Sequence, residues 1–149
     1  MSSPLVLLDT NVLLRWINRD TSEHELATLS TRSLVQQGFI LCYTSQNLGE
    51  FWNVLTRPVT KNGFGENTVA DSVKANEIER NCRLLCDTPS VHYRWRTLLT
   101  RYRISGVQVH DARLVAIMQV HGVRHILTFN TKDFTRFEAI ESMHPSQLA

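Results

Sequence analysis

Four acidic residues occupy positions from which an α/β fold could bring their side chains into one pocket: Asp9, Glu50, Asp111 and Asp133. Asp9 directly follows the apolar run Leu5–Leu8, and Asp133 lies four residues past Phe129, where a later apolar run ends. In open parallel sheets, ligands bind at the carboxyl ends of the strands. Both acids are therefore well placed to act on a ligand, although Asp9 could equally cap the helix that follows it.

The other two acids fall in segments that are predicted to be helical. Glu50 stands between Leu48 and Phe51, and a buried glutamate is rare unless it is paired or coordinates a cation. The alternative is a surface position one step off the apolar stripe. Asp111 falls in the first turn of a helix that begins near Val109, where the helix dipole alone would favour an acid.

Taken together, these acids predict a metal centre. Three or four carboxylates in one pocket repel one another, and a divalent cation would neutralise them. Ligands that are all oxygen atoms select hard cations, so Mg²⁺ or Mn²⁺ is expected rather than zinc. A carboxylate-held Mg²⁺ suits phosphodiester chemistry, because it lowers the pKa of a bound water, polarises the phosphoryl oxygen and stabilises the leaving oxygen.

A second cluster combines basic and aromatic residues. Its members are Arg94, Arg96, Arg101 and Arg103, with Tyr93, Trp95 and Tyr102 among them. Such a mixture can hold a phosphate backbone and stack bases. The alternative is an amphipathic helix whose arginine face is only solvated. Overall charge does not decide between the two, because a net charge of +2 creates no field that demands a nucleic acid.

The elements that must position these residues are short apolar strands alternating with helices. We predict strands over residues 5–8, 39–43, 84–86 and 125–129, and a weaker one near 137–140. Helices are predicted over about 10–17, 22–38, 45–57, 67–82, 90–103 and 109–122. Thr10 or Asn11 could cap the first helix, Thr44 or Ser45 the third, and Asn67 the fourth. This alternation predicts an α/β fold with a parallel sheet and right-handed crossovers.

Length and composition set the class. A chain of 149 residues has the size of one ordinary domain, so we expect residues 1–149 to form a single domain. With 42% apolar and 20% charged residues, it is neither disordered nor fibrous.

Cysteine usage and hydropathy predict a cytoplasmic protein. The three cysteines (Cys42, Cys82 and Cys86) are odd in number and lack metal-binding spacing, which is typical of reduced thiols. The apolar stretches are far shorter than the ~20 residues of a membrane span. We expect neither a secretory signal nor a membrane partner.

Three groups of motifs carry a family resemblance. The first is LLDTNVLL at 7–14, the second is SQNLGEFWNVLTRP at 45–58, and the third combines HDARLVA at 110–116, HGV at 121–123 and LTFNTKDF at 127–134. The set resembles the motifs of PIN domains, and in particular those of the VapC-type toxins of bacterial toxin–antitoxin systems. It covers residues from about 5 to 137, with separations of 41, 61 and 22 residues between the four acids.

The resemblance implies a metal-dependent ribonuclease with an α/β/α sandwich around a mainly parallel sheet of four or five strands. Its metal ligands fall on Asp9, Glu50 and Asp111, and Glu50 could instead act through water as the base. Many members have an aspartate where this chain has Asn130. The fourth ligand is therefore either Asp133 or Asn130, the latter through its amide oxygen or through water.

The resemblance also implies supporting residues and partners. Thr10, Asn11 and Thr128 are expected to hold the ligands or their waters by hydrogen bonds. The substrate would be RNA, and the cofactor Mg²⁺ or Mn²⁺. VapC-type members usually form homodimers and are inhibited by a small antitoxin protein that inserts into the active-site groove. The apolar residues around Glu50 could serve such a dimer or the core.

Other classes are weighed against the same residues. A phosphatase of the haloacid-dehalogenase type needs a second aspartate two residues after the first, where this chain has Asn11. A receiver domain needs paired acids ahead of the first strand's aspartate. The alternatives that stay open are a free-standing RNA-processing nuclease and a non-catalytic PIN-like module that binds RNA or protein. The presence of Asp9, Glu50 and Asp111 together favours catalysis.

Overall fold

Five parallel strands form one sheet in the computed structural model, which describes residues 2–149. The strands are β1 (Leu5–Leu8), β2 (Ile40–Tyr43), β3 (Arg83–Leu84), β4 (His125–Leu127) and β5 (Glu141–Met143). Their order across the sheet is β3-β2-β1-β4-β5, and each neighbouring pair is parallel. Because β1 is central, its carboxyl end lies between those of β2 and β4.

Helices connect the strands on both faces of this sheet. They are α1 (Thr10–Ile17), α2 (His24–Gln36), α3 (Ser45–Thr56), α4 (Thr68–Asn81), α5 (Pro89–Arg101) and α6 (Gln108–Val120). Short 3-10 helices lie at Val59–Lys61, Thr131–Asp133 and Pro145–Gln147. No helix within residues 2–149 is both long and apolar enough to cross a membrane.

The core divides into two apolar clusters because successive side chains of each strand point to opposite faces. In β1, Leu7 packs with the cluster that includes α5 and α6, whereas Val6 and Leu8 pack with the cluster formed by α1 to α4. Phe51 and Leu55 of α3 are fully buried in the second cluster, so they belong to the core. This arrangement confirms the predicted three-layer α/β/α sandwich.

Side-chain caps fix three helix starts. The Asp9 side chain accepts from the Thr10 N–H at 2.8 Å, so α1 is capped by Asp9, as the alternative for that residue expected, and not by Thr10 or Asn11. Thr44 forms a reciprocal capping box with Asn47 at the start of α3, and Asn67 caps α4. Each cap satisfies backbone donors that a helix start leaves free.

Several predicted boundaries are wrong. The last strand is Glu141–Met143 and not 137–140, because Phe137 and Ile140 close successive turns and bury their side chains in the core. The third strand is Arg83–Leu84 rather than 84–86. The fourth ends at Leu127, two residues early. Helix α5 ends at Arg101, and Arg103 adopts a left-handed conformation with φ of 51°.

Candidate active site

The four predicted acids are brought to one edge of the sheet, at the carboxyl ends of β1 and β4. Asp9 follows β1 directly, and Asp133 ends the 3-10 helix after β4. Glu50 lies in the middle of α3 and Asp111 in the first turn of α6. The charges of Asp9, Asp133 and Glu50 all act on Asp111, which shows that the acids form one electrostatic cluster.

Asp9 is the most enclosed of the four acids, with 8% of its surface exposed. Burial raises the pKa of its carboxyl group, the hydrogen bonds from Thr128 and Thr10 lower it, and the charges of Glu50 and Asp133 raise it further. The Thr128 hydroxyl donates to Asp9 Oδ2 at 2.7 Å. The Asn11 amide approaches the same oxygen at 3.4 Å. The carboxylate is therefore held in one orientation.

Thr128 and Asn11 tie the loop after β4 to the start of α1. The Asn11 Nδ2 donates to Thr128 Oγ1 at 3.3 Å, and the Phe129 N–H donates to Asn11 Oδ1 at 3.1 Å. The Asn130 N–H donates to Thr128 Oγ1 at 3.0 Å. Since Thr128 is fully buried, this junction fixes the distance between Asp9 and the loop that carries Asp133.

Glu50 is half-buried, and both of its oxygens accept hydrogen bonds. The Thr10 hydroxyl donates to Oε2 at 2.8 Å, and Gln46 Nε2 donates to Oε1 at 3.0 Å. Asn47 Nδ2 in turn donates to Thr10 Oγ1 at 3.2 Å. A surface position off the apolar stripe does not describe this side chain, because it is aimed at the residue that follows Asp9.

Gln46 and Arg113 extend this network, and neither was assigned a role from the sequence. Gln46 Nε2 also donates to the carbonyl oxygen of His110 at 3.0 Å, which links α3 to the start of α6. Arg113 donates to Gln46 Oε1 at 3.2 Å and pairs with Asp87 at 2.7 Å. The sequence could have indicated the contact between Gln46 and Glu50, because residues four apart on a helix are neighbours on its surface.

Asp111 is half-buried, and both its burial and the neighbouring acids act on its pKa. Burial raises the pKa of its carboxyl group to about 7, and the negative charges of Asp9, Asp133 and Glu50 contribute in that order. Both effects therefore favour the protonated form of this carboxyl group.

The loop after β4 treats Asn130 and Asp133 differently. Asn130 is exposed, whereas Asp133 is half-buried and its charge raises the pKa of both Asp9 and Asp111. The loop also lines a cavity of about 630 Å³. Its other lining residues are Phe129, Thr131, Lys132 and His144.

The donor set fits a hard divalent cation in type and charge. All four candidate ligands are carboxylates, and their mutual repulsion is what an added positive charge would relieve. Within residues 2–149, no three His, Cys, Asp or Glu side chains are grouped tightly enough to bind one ion as they stand. Hydrogen bonds from Thr10, Gln46 and Thr128 hold two of them, Asp9 and Glu50, in their present positions.

The arginine cluster does not act as one surface. Arg94 and Arg101 line a cavity together with Arg124, whereas Arg96 donates to the Thr100 hydroxyl at 2.7 Å. Trp95 is part of the fold, because its indole N–H donates to the Val109 carbonyl at 2.8 Å.

Comparison with known proteins identifies the family. The model of the PIN domain matches residues 6–140, so the chain belongs to the PIN-domain family, as its motifs indicated. A curated relative, Ribonuclease VapC24 of Mycobacterium tuberculosis, is 30% identical over 138 residues, which cover 89% of this chain and 91% of the relative.

Solved structures share the fold at low sequence identity. VapBC2 from Rickettsia felis, solved bound to a DNA fragment from its promoter, matches with a TM-score of 0.66 at 17% identity and covers 94% of this chain and 98% of that chain. The sarcin-ricin loop cleaving toxin VapC20 of M. tuberculosis matches with a TM-score of 0.60 at 20% identity, over 81% of this chain and 86% of that chain. A toxin–antitoxin complex from Klebsiella pneumoniae matches with a TM-score of 0.64 at 17% identity, over 94% of this chain and 97% of that chain.

Proposed function

We propose that this protein is a Mg²⁺- or Mn²⁺-dependent endoribonuclease that hydrolyses RNA phosphodiester bonds, and that it is the toxin of a toxin–antitoxin pair. The observation that carries the proposal is the cluster of four acids at the carboxyl ends of β1 and β4, where three negative charges act on Asp111. Membership of the PIN-domain family and the similarity to a named ribonuclease support the same reaction.

In this proposal the ion is held by Asp9, Glu50, Asp111 and Asp133. Asp133 is preferred to Asn130 as the fourth ligand because its charge reaches Asp9 and Asp111. A bound divalent ion would supply an activated water and neutralise charge that develops on the phosphoryl group.

Neighbouring residues orient the carboxylates by hydrogen bonds. Thr128 fixes Asp9, while Thr10 and Gln46 together fix both oxygens of Glu50. Such hydrogen bonds restrict the rotation of the acids and keep their oxygens directed at the pocket. Asp9 and Glu50 therefore do not have to reorient when charge develops during the reaction.

The proposed partners follow from the relatives. We propose that a small antitoxin protein inhibits this chain, since solved neighbours include a toxin–antitoxin complex. We further propose that the chain forms a homodimer, acts in the cytoplasm, where its three free cysteines stay reduced, and folds as one domain over residues 1–149. Two core clusters that share a single sheet support the last point.

The test is RNA cleavage by the purified protein with Mn²⁺, with EDTA, and as the variant Asp9→Asn. Asparagine keeps an oxygen that can cap α1 and removes the charge, so the fold should survive while cleavage falls by at least about 100-fold. The matched control is Asp20→Asn, which removes the same charge from an exposed residue and should cut like the wild type.

Two results would contradict the proposal. Equal cleavage by Asp9→Asn and by the wild type would remove Asp9 from the site. A folded wild-type protein that binds RNA and Mn²⁺ without cutting would indicate a non-catalytic PIN module.

A further inference from the structure

A second cavity lies away from the four acids, and three arginines line it. It has a volume of about 550 Å³. Its lining residues are Arg94, Arg101, Gln119, Gly122, Val123, Arg124 and Ala139. Arg94 and Arg101 are seven residues apart on α5, which places them on the same helix face, and Arg124 joins them from the turn before β4. Only the fold could reveal this grouping, because Arg124 is distant from the other two in sequence.

Among residues 2–149, the guanidinium groups of these three arginines form no salt bridge, although that of Arg101 lies over the Tyr102 ring at 5.4 Å. The salt bridges found among residues 2–149 engage Arg15, Lys74, Arg113 and His125, and none of the cavity arginines. Glu141, the first residue of β5, pairs with His125 at 3.2 Å and not with one of these arginines.

This cavity lies at the opposite edge of the sheet from the acids. Arg124 directly precedes β4 and Ala139 lies just before β5, so the cavity is at the amino ends of these strands. Asp111 and Gln119 stand eight residues apart on α6, a distance of about 12 Å along a helix. One phosphate could not occupy both places, whereas different nucleotides of one strand could.

We propose that this cavity is a phosphate-binding subsite for the RNA backbone, remote from the point of cleavage; the inference rests on the proposed function. Guanidinium groups bind phosphate oxygens in a bidentate manner, and three of them around one cavity match a polyanion. Tyr93, next to Arg94 on α5, is 70% exposed and offers a ring on which a neighbouring base can stack. The subsite would thus fix the path of single-stranded RNA across the α5–α6 layer.

The experiment measures RNA binding in EDTA, where metal-dependent cleavage does not occur. A labelled single strand of about 12 nucleotides is titrated at several salt concentrations with the wild type and with Arg94→Gln/Arg124→Gln. Each phosphate contact to a single strand contributes about −0.7 to the slope of log K against log[salt]. Loss of two contacts should therefore flatten the slope by about 1.4 and weaken binding at low salt by about tenfold or more.

The control pair Arg96→Gln/Arg80→Gln removes the same charge from exposed arginines outside the cavity and should keep the wild-type slope. Thermal unfolding of both pairs confirms that they fold, as expected for exposed side chains. Equal slopes for the two pairs would overturn the subsite. Thermal unfolding is repeated with inorganic phosphate. If the cavity pair loses a rise in Tm that phosphate gives the wild type, but keeps the RNA affinity of the control, the cavity binds a free anion and the subsite is also overturned.

Separate measurements of RNA binding and of RNA cleavage distinguish failure of the subsite from failure of the proposed function. A wild-type protein that binds RNA through these arginines but does not cut it with Mn²⁺ would refute the nuclease and leave the subsite standing. A protein that cuts RNA while the cavity pair behaves like the control would refute only the subsite.

Discussion

Asp111 shows how the site changes the chemistry of a single residue. Its side chain is half-buried, and its pKa rises to about 7 because burial and three neighbouring acids disfavour the ionised form. The unfolded chain would ionise this group at its ordinary pKa of 3.8. The folded protein therefore binds a proton that the unfolded chain releases between these two values.

This difference predicts a stability that falls as pH rises from about 4 to 7, where the unfolded state binds fewer protons than the native state. Asp111→Asn removes the titrating group. In EDTA at pH 8 the variant should unfold at higher urea than the wild type, by about 1–2 kcal/mol after the shift is discounted for solvent access. At pH 4 the two should be nearly equal.

Urea unfolding of Asp20→Asn provides the comparison, since Asp20 is exposed and the variant has the same net charge as Asp111→Asn. A gain in stability that is the same at pH 4 and pH 8 would contradict the electrostatic explanation, as would an equal gain in Asp20→Asn.

Residues that follow strands were the easiest to find from the sequence. An acid directly after an apolar run, as Asp9 is, can be located because parallel strands end at a common edge. The roles of Gln46 and Arg113 could not be predicted, because they depend on the contact between α3 and α6. Residue spacing in the sequence does not show which helices are in contact. The preference for Asp133 over Asn130 likewise required the loop conformation.

Among the elements, the junction of α1 with the end of β4 is held by hydrogen bonds that meet at Thr128. The Thr128 hydroxyl donates to Asp9 and accepts from Asn11 and from the backbone of Asn130. It therefore joins two elements that are more than a hundred residues apart in sequence, and it lowers the pKa of Asp9 against the effect of burial.

Thr128→Val should loosen this junction, because valine has the same shape and cannot form the hydrogen bonds. Leaving buried polar partners unsatisfied costs about 1–3 kcal/mol in the free energy of unfolding. Mn²⁺ affinity should fall by about tenfold, since Asp9 loses the group that orients it. Urea unfolding and Mn²⁺ titration measure the two effects.

Thr128→Ser is the matched control, because it keeps the hydroxyl and loses only a methyl group. It should retain Mn²⁺ affinity close to that of the wild type. Wild-type Mn²⁺ affinity in Thr128→Val would show that the hydroxyl does not position Asp9.

Element types were predictable from periodicity, and element ends were less so. All six helices and the first four strands lie near their predicted positions, because apolar patterning and caps such as Asn67 act locally. The last strand, Glu141–Met143, lies a few residues beyond its predicted position. The segment 137–140 is apolar enough to form a strand, but Phe137 and Ile140 are needed in the core beneath α5 and α6.

At the scale of the whole molecule, the candidate site depends on elements from both layers of the sandwich. Asp9 and Glu50 belong to the side of α1 and α3, whereas Asp111 starts α6 on the other side. The acids meet only when both helical layers are packed on the sheet. An ion bound by these acids would therefore bind the native state and not the unfolded chain.

Mn²⁺ should accordingly stabilise the entire fold. At a concentration about 100 times its Kd, a ligand specific to the native state adds about 2.7 kcal/mol, which for a chain of this length raises Tm by about 5–10 °C. Thermal unfolding with and without Mn²⁺ measures the rise. Asp133→Asn should reduce it and Asn130→Ala should not, because the charge of Asp133 reaches the cluster while the Asn130 side chain is exposed. A smaller rise in Asn130→Ala but not in Asp133→Asn would make Asn130 the fourth ligand. If Mn²⁺ raised the Tm of Asp133→Asn and of Asp111→Asn as much as that of the wild type, the ion would bind outside the four acids.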